Sequence, residues 1–170
     1  MKQSKKTFTI SRATKKSRRK KISDHISYKE ATRSETATRL NISNIPNEDI
    51  LKNMILVAEE VFEPLREWAK HAINVNSFYR SPKLNSAVRG SLKSSHLSGQ
   101  AIDISTLGKK SNGELFDYIR QNLDFDQLIW EFGNNENPRW IHVSFKNKKD
   151  NRKDVLKARH RGTNVTYFRM

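Results

Sequence analysis

The chain has 170 residues and no cysteine, and its 33 Lys/Arg against 18 Asp/Glu give a formal net charge of +15. This length is enough for one domain with a hydrophobic core, and the absence of cysteine excludes a closed structural zinc site built from thiolates. No run of about 18 apolar residues predicts a membrane span. The basic N-terminus also lacks the apolar stretch of a secretory signal. We therefore expect neither an integral membrane protein nor a signal peptide.

The positive charge is concentrated at the two ends of the chain. Residues 1–21 carry ten Lys/Arg and no acid, residues 147–170 carry eight Lys/Arg and two Asp, and residues 22–146 are nearly neutral. We predict a basic, disordered arm over 1–21, a folded domain over 22–146 and a basic C-terminal extension over 147–170. The arm is either simply solvated or binds nucleic acid, anionic envelope polymers or a partner protein.

The first predicted element is a long helix. It should begin near residues 44–47, with Pro46 close to its first turn. Apolar residues then recur at helical spacing from Ile50 to Trp68, which predicts a face buried in the core. Pro64 lies inside this pattern and predicts a kink in the last turns, because proline lacks the N–H of a helical residue.

A strand and a short helix follow. The strand is predicted over about 73–79 and leads directly to Arg80. The helix is predicted near 83–89, with Gly90 as its C-cap. Arg80 thus stands in the connection between the two elements.

The second half of the chain reads as one helix and several strands. Residues 111–114 have the pattern of a capping box that opens a helix reaching about residue 121. Strands near 127–132 and 140–146 should pair antiparallel across the turn at 133–138, and 164–168 could add an edge strand. The prediction is an α+β domain: a small antiparallel sheet with helices packed on one face.

Two histidines and an aspartate carry the chemistry of the opposite face. Alternation along the strands separates Asp103, His142 and Glu131 from the aliphatic residues of the same strands. Singly, His96, His142 and Asp103 would be ordinary surface residues or a turn carboxylate. Together they offer three ligands to a zinc-like ion and leave a fourth position open, as catalytic sites do. Such an ion lowers the pKa of bound water and polarises a carbonyl, so the group favours a metal-dependent hydrolase.

These motifs resemble a known family. Residues 95–103 and 140–144 look like the zinc peptidases that cut peptidoglycan peptides, the D-alanyl-D-alanine carboxypeptidase and L-alanyl-D-glutamate endopeptidase group of the M15 class. The runs at 26–34 and 77–82 are most similar to its phage-encoded branch. The resemblance covers about residues 24–146 and implies a hedgehog-like zinc peptidase fold, with a zinc site on the face of the sheet away from the helices.

The resemblance also implies roles for single residues. His96, Asp103 and His142 would hold Zn²⁺, and Arg80 would bind a substrate carboxylate or the developing oxyanion. A planar guanidinium suits a carboxylate better than an ammonium does. The alternative for Arg80 is a surface arginine that caps a turn.

The general base departs from the usual pattern of the group. Many members place an acid within three residues before the last histidine, whereas this chain has Arg139 and Trp140 there. The remaining candidate is Glu131, which resembles the glutamate that closes a Phe-Asp strand in hedgehog proteins. A carboxylate at this place can take a proton from water and return it to the leaving amine. The alternative for Glu131 is a surface ion pair.

Two functions follow from the resemblance. The first is hydrolysis of amide bonds in peptidoglycan stem peptides by a phage endolysin or virion-associated peptidase. Such an enzyme would stay in the host cytoplasm before release, or in the virion, and act at the cell wall. The second is a virion or assembly component whose basic arms bind phage structural proteins, nucleic acid or anionic envelope polymers, with the peptidase domain vestigial or accessory.

Overall fold

The computed structural model describes residues 21–106, 108–162 and 164–170. The basic arm predicted over 1–21 lies outside these residues, apart from Lys21, which forms an isolated β-bridge with Ser27. The described part folds into helices and a six-stranded sheet. The predicted α+β class is confirmed.

Side-chain caps set the starts of most helices. The helices are α1 (Tyr28–Thr32), α2 (Glu35–Arg39), α3 (Glu48–Val57), α4 (Glu63–Ala69), α5 (Pro82–Ala87) and α6 (Asn112–Asn122). All except α4 follow a serine or asparagine whose side chain accepts a backbone N–H three residues on, namely Ser27, Ser34, Asn47, Ser81 and Ser111. The predicted capping box of α6 is confirmed. In the described residues, no helix has the length and apolar character needed to cross a membrane.

The long predicted helix is present, but its irregularity differs from the expected one. Asn47 is the N-cap, so the predicted start is confirmed, and Pro46 stands one residue before the cap, close to the first turn. Between α3 and α4 the residues Ala58–Phe62 form a π-helical turn. Pro64 follows at the start of α4 and cannot donate to the carbonyl four residues earlier. The irregularity is therefore a wider helical turn before Pro64, whereas the sequence predicted a kink in the last turns of the helix.

The strands form one mixed sheet. They are β1 (Ile73–Ser77), β2 (Ala101–Thr106), β3 (Gln127–Glu131), β4 (Trp140–Ser144), β5 (Asp154–Arg161) and β6 (Asn164–Arg169), in the order β1-β2-β4-β3-β5-β6. The predicted antiparallel pairing of β3 with β4 and the predicted edge strand β6 are confirmed. The sequence did not predict β5, which runs parallel to β3, so the sheet is mostly rather than wholly antiparallel.

The hydrophobic core lies between the helices and one face of the sheet. Helix α6 packs on β3 and β4, and α3 packs on β2. The sheet contributes a buried set of alternating residues: Ile102, Ile104, Leu128, Trp130, Ile141 and Val143. Because side chains alternate along each strand, the residues between them point to the other face, which carries the site.

The short helix α5 ends differently from the prediction. Its C-cap is Val88, and Arg89 rather than Gly90 takes the left-handed conformation, with φ of 56°. Position 90 instead needs a glycine because a side chain there would not fit. A Cβ there would lie 2.2 Å from Oδ1 of Asn85, so the predicted C-cap role of Gly90 is wrong.

A buried carboxylate brings the C-terminal extension back to the sheet. Asp126, which is 0% exposed, lies just before β3 and accepts from Arg152 Nε at 2.8 Å and Nη2 at 2.7 Å. Lys146 Nζ lies 3.2 Å from the same carboxylate. Burial alone would raise the pKa of Asp126, but the bonds from Arg152 and Lys146 lower it, so the group stays ionised. This clamp places the start of β5 beside the start of β3.

Candidate metal centre

The three predicted ligands come together from two adjacent strands and the turn before them. Asp103 on β2 pairs directly with His142 on β4, so both side chains point to the same face. His96 lies in a 3-10 turn, Ser95–Ser98, that ends at Gly99. Gly99 has a φ of 71°, and the predicted turn at this glycine is confirmed.

The three ligand atoms form a small triangle. His96 Nε2 lies 3.1 Å from Asp103 Oδ1 and 3.2 Å from His142 Nδ1, and the third side, from His142 Nδ1 to Asp103 Oδ1, is 2.8 Å. Tetrahedral ligands at zinc bond lengths lie about 3.3 Å apart, so the triangle has the size of one face of such a tetrahedron. This His-Asp-His group could hold a metal ion.

The protonation states also suit a cation. His96 Nδ1 lies 2.6 Å from the carbonyl oxygen of Phe78, which can only accept, so Nδ1 carries the proton and Nε2 presents a lone pair. Burial lowers the pKa of His96 and favours the neutral ring. For Asp103 burial alone would raise the pKa, but His96 and His142 hold it below its usual range. A buried carboxylate and an imidazole lone pair therefore face the same small space, and a divalent cation satisfies both.

Glu131 lies on the same face, one strand further along the sheet. It ends β3, where it pairs with Trp140 of β4, two residues before His142. Its side chain is buried, with 8% of the residue exposed. Burial raises the pKa of Glu131 to about 7, with a smaller opposing effect of His142. The predicted alternative of a surface ion pair does not fit this buried position.

Arg80 is held against the ligand group by three contacts. A bulge in β1 places Ser77 opposite Asp103, and Ser77 Oγ accepts from Arg80 Nε at 2.9 Å. Arg80 Nη2 donates to Asp103 Oδ2, and the backbone N–H of Arg80 donates to the carbonyl of His96 at 3.1 Å. The turn at α5 is capped by Ser81, so the turn-capping alternative for Arg80 does not apply.

Asn44 supports this segment and was not singled out from the sequence. Its Nδ2 donates to the carbonyls of Thr32 and Tyr79 at 3.0 Å, and its Oδ1 accepts from Ser81 N at 2.7 Å. These bonds fix the backbone on both sides of Arg80. The partners are distant in sequence, and no local pattern around Asn44 indicates them.

The comparison with known families agrees with the geometry. A family model described as peptidase M15 matches residues 24–144. The chain belongs to the peptidase M15 family. The resemblance seen in the sequence is thus confirmed at family level, and M15 membership makes the chain a metallopeptidase by family. No curated protein sequence matches the chain. All five predicted site residues, Arg80, His96, Asp103, Glu131 and His142, fall inside the M15 match.

The face of the sheet that carries the candidate site continues beyond the M15 match, into the C-terminal hairpin. Glu131 pairs with Ala158 on β5, and Ala158 pairs with Tyr167 on β6, so the three side chains stand in one row on one face. Burial raises the pKa of the Tyr167 phenol, and the charges of Glu131 and Asp103 raise it further. The sequence predicted an edge strand here but gave no motif that marks Tyr167.

Proposed function

We propose that this protein is a zinc peptidase that hydrolyses amide bonds in peptidoglycan stem peptides. In this proposal His96, Asp103 and His142 hold the zinc ion, Glu131 transfers the proton and Arg80 binds the substrate. The observation that carries it is the triangle of ligand atoms with sides of 2.8 to 3.2 Å, with a buried glutamate on the same face. M15 membership supports the zinc-dependent chemistry.

The ligand residues are oriented by bonds to the rest of the chain. Zinc, when bound, would supply a Lewis acid for the scissile carbonyl and make water a stronger acid. His96 is fixed by its bond to the Phe78 carbonyl, and Asp103 is fixed through its second oxygen by Arg80. Such supporting bonds hold ligand side chains in place and set the tautomer of a histidine.

Glu131 is suited to move a proton. Its raised pKa of about 7 allows both the charged and the neutral form near neutral pH. In its charged form the Glu131 carboxylate can accept a proton from the attacking water. The protonated carboxyl then donates to the nitrogen of the leaving amine, which completes the hydrolysis.

Arg80 is suited to bind an acidic peptide. Nε and Nη2 donate to Ser77 and Asp103, and among the described residues no hydrogen bond uses Nη1. The N–H groups of Nη1 therefore remain for a substrate carboxylate or a developing oxyanion. Stem peptides are rich in carboxylates, so a fixed guanidinium beside the ligands would contribute to their binding.

We extend the proposal to the type of enzyme and its setting. The similarity of residues 26–34 and 77–82 to phage-encoded members supports an endolysin or a virion-associated peptidase. The bond cleaved is either D-Ala-D-Ala at the end of the stem or L-Ala-D-Glu at its start. Release of free D-alanine distinguishes the first from the second, which leaves a new α-amino group on the stem peptide.

The test combines metal analysis with hydrolysis of purified peptidoglycan. The full-length protein should contain about one zinc per chain and release amine groups or D-alanine, and Glu131→Gln should keep the zinc while losing most of the release. Glu136→Gln, in the exposed turn between β3 and β4, is the matched control and should behave as the wild type. Zinc-loaded protein that releases neither product from cell wall or from soluble stem peptides would refute the proposal.

A further inference from the structure

The C-terminal hairpin of β5 and β6 lies beyond the M15 match and extends the site face by two strands. A row of paired residues crosses the sheet from Trp140 through Glu131 and Ala158 to Tyr167. Residues paired across neighbouring strands project to the same face. The hairpin therefore places a tyrosine on the open side of Glu131, away from the ligand triangle.

The small residue in this row leaves room for Tyr167 to approach. Ala158 is 0% exposed and has only a methyl group between the two larger side chains. Two strand spacings separate Glu131 from Tyr167, about 10 Å between their Cα atoms. A tyrosine that leans over the methyl group spans most of this distance. Tyr167 is 52% exposed, so a ligand on this face can reach its ring.

The effects of nearby charges on the pKa of Tyr167 agree with a phenol directed toward Glu131. Burial, then the carboxylates of Glu131 and Asp103, raise the pKa of Tyr167, while Arg80 lowers it. All three charged groups belong to the candidate site and none to β6. The phenol therefore lies within electrostatic reach of the site and keeps its proton at neutral pH, so it can donate a hydrogen bond.

The Tyr167 hydroxyl is not engaged by another group of the described residues. Within the described residues, no hydrogen bond joins the Tyr167 hydroxyl to another group, and none joins it to Glu131. Arg80 lies on the β1 side of the ligand triangle, and Tyr167 lies on the β6 side. A peptide that crosses the strands on this face would meet Arg80 at one side of the metal ligands and Tyr167 at the other.

We propose that Tyr167 is a substrate-contacting residue whose hydroxyl donates a hydrogen bond to a carbonyl or carboxylate oxygen of the peptide lying over β3 and β5. This inference rests on the proposed peptidase function. It assigns the hairpin outside the M15 match a part in binding the substrate. The residue selects and holds the peptide, while proton transfer stays with Glu131.

The test compares two tyrosine-to-phenylalanine variants of the full-length, zinc-loaded protein. Tyr167→Phe removes only the hydroxyl and should lower kcat/KM for a soluble stem peptide about twofold to tenfold, mainly through KM, the effect of one net hydrogen bond. Zinc content and thermal midpoint should not change. Tyr118→Phe is the matched control, because Tyr118 stacks on Trp68 on the helical side of the sheet, and should leave kcat/KM unchanged.

A binding measurement separates this inference from the proposed function. The same substitution is made in the slow Glu131→Gln background, and stem-peptide affinity is measured by calorimetry. A wild-type enzyme that hydrolyses the peptide, with Tyr167→Phe equal to it in KM and affinity, overturns the role of Tyr167 and leaves the peptidase proposal intact. Weaker binding by Tyr167→Phe without any hydrolysis by the wild type supports Tyr167 and refutes the peptidase. Absence of both binding and hydrolysis overturns both.

Discussion

Burial of Glu131 should make the stability of the metal-free protein depend on pH in a way that a single substitution removes. The pKa of this carboxyl is raised from 4.5 to about 7 in the folded chain. The folded state therefore binds this proton more tightly than the unfolded state. Its contribution to the free energy of unfolding is fully present below pH 4.5 and is lost as the pH rises through about 7. Over that window the loss is about 3 kcal/mol.

Glu131→Gln keeps the shape of the side chain and carries no charge at any pH. Above pH 8 the metal-free variant should be more stable than the wild type by about 3 kcal/mol, and the two should converge near pH 4. The assay is urea unfolding of full-length protein with a chelator, across this pH range. Added zinc should reduce the difference, because a nearby cation stabilises the carboxylate. A difference between the two proteins that does not vary with pH would refute a buried, protonated Glu131.

Other predictions concern His96 and His142, Arg80, the ion pair of Asp126 and the basic arm. His96→Ala and His142→Ala should each lose bound zinc and hydrolysis, and full zinc occupancy in the double variant would contradict the site. Arg80→Lys should keep zinc but raise KM or slow turnover, since an ammonium cannot replace the planar fork; unchanged kinetics would exclude the role. Asp126→Ala should lower the free energy of unfolding by about 2 kcal/mol in a urea titration. Deletion of residues 1–21 should leave hydrolysis of a soluble stem peptide unchanged and weaken salt-sensitive binding to polyanions.

The ligand face could be predicted because strand alternation is a local signal. Asp103 and His142 each stand between aliphatic neighbours, and this pattern alone puts them on the face away from the core. Their direct pairing across β2 and β4 needed the structure. The capping box of α6 and the turn at Gly99 are also local, and both were predicted correctly.

The parts that the sequence did not reveal depend on contacts between distant residues. Strand β5 contains Lys157, Arg159 and Arg161, so its alternation reads as a solvated basic segment. It joins the sheet through its pairing with β3 and through the ion pair between Arg152 and Asp126, 26 residues apart. The space that Gly90 leaves and the bonds of Asn44 are likewise set by neighbours that no short window of sequence contains.

Strand β5, which runs parallel beside β3, limits how far the chain can be shortened at its C-terminal side. β3 carries Glu131 and the buried residues Leu128, Ile129 and Trp130, and β5 covers its outer edge. A chain shortened to the M15 match would expose that apolar edge, and unpaired edges of this kind template aggregation. In the full chain the exposed border belongs to β6, which ends in Arg169 and pairs with the basic β5. Strand β5 therefore keeps the outer edge of the strand that carries Glu131 covered.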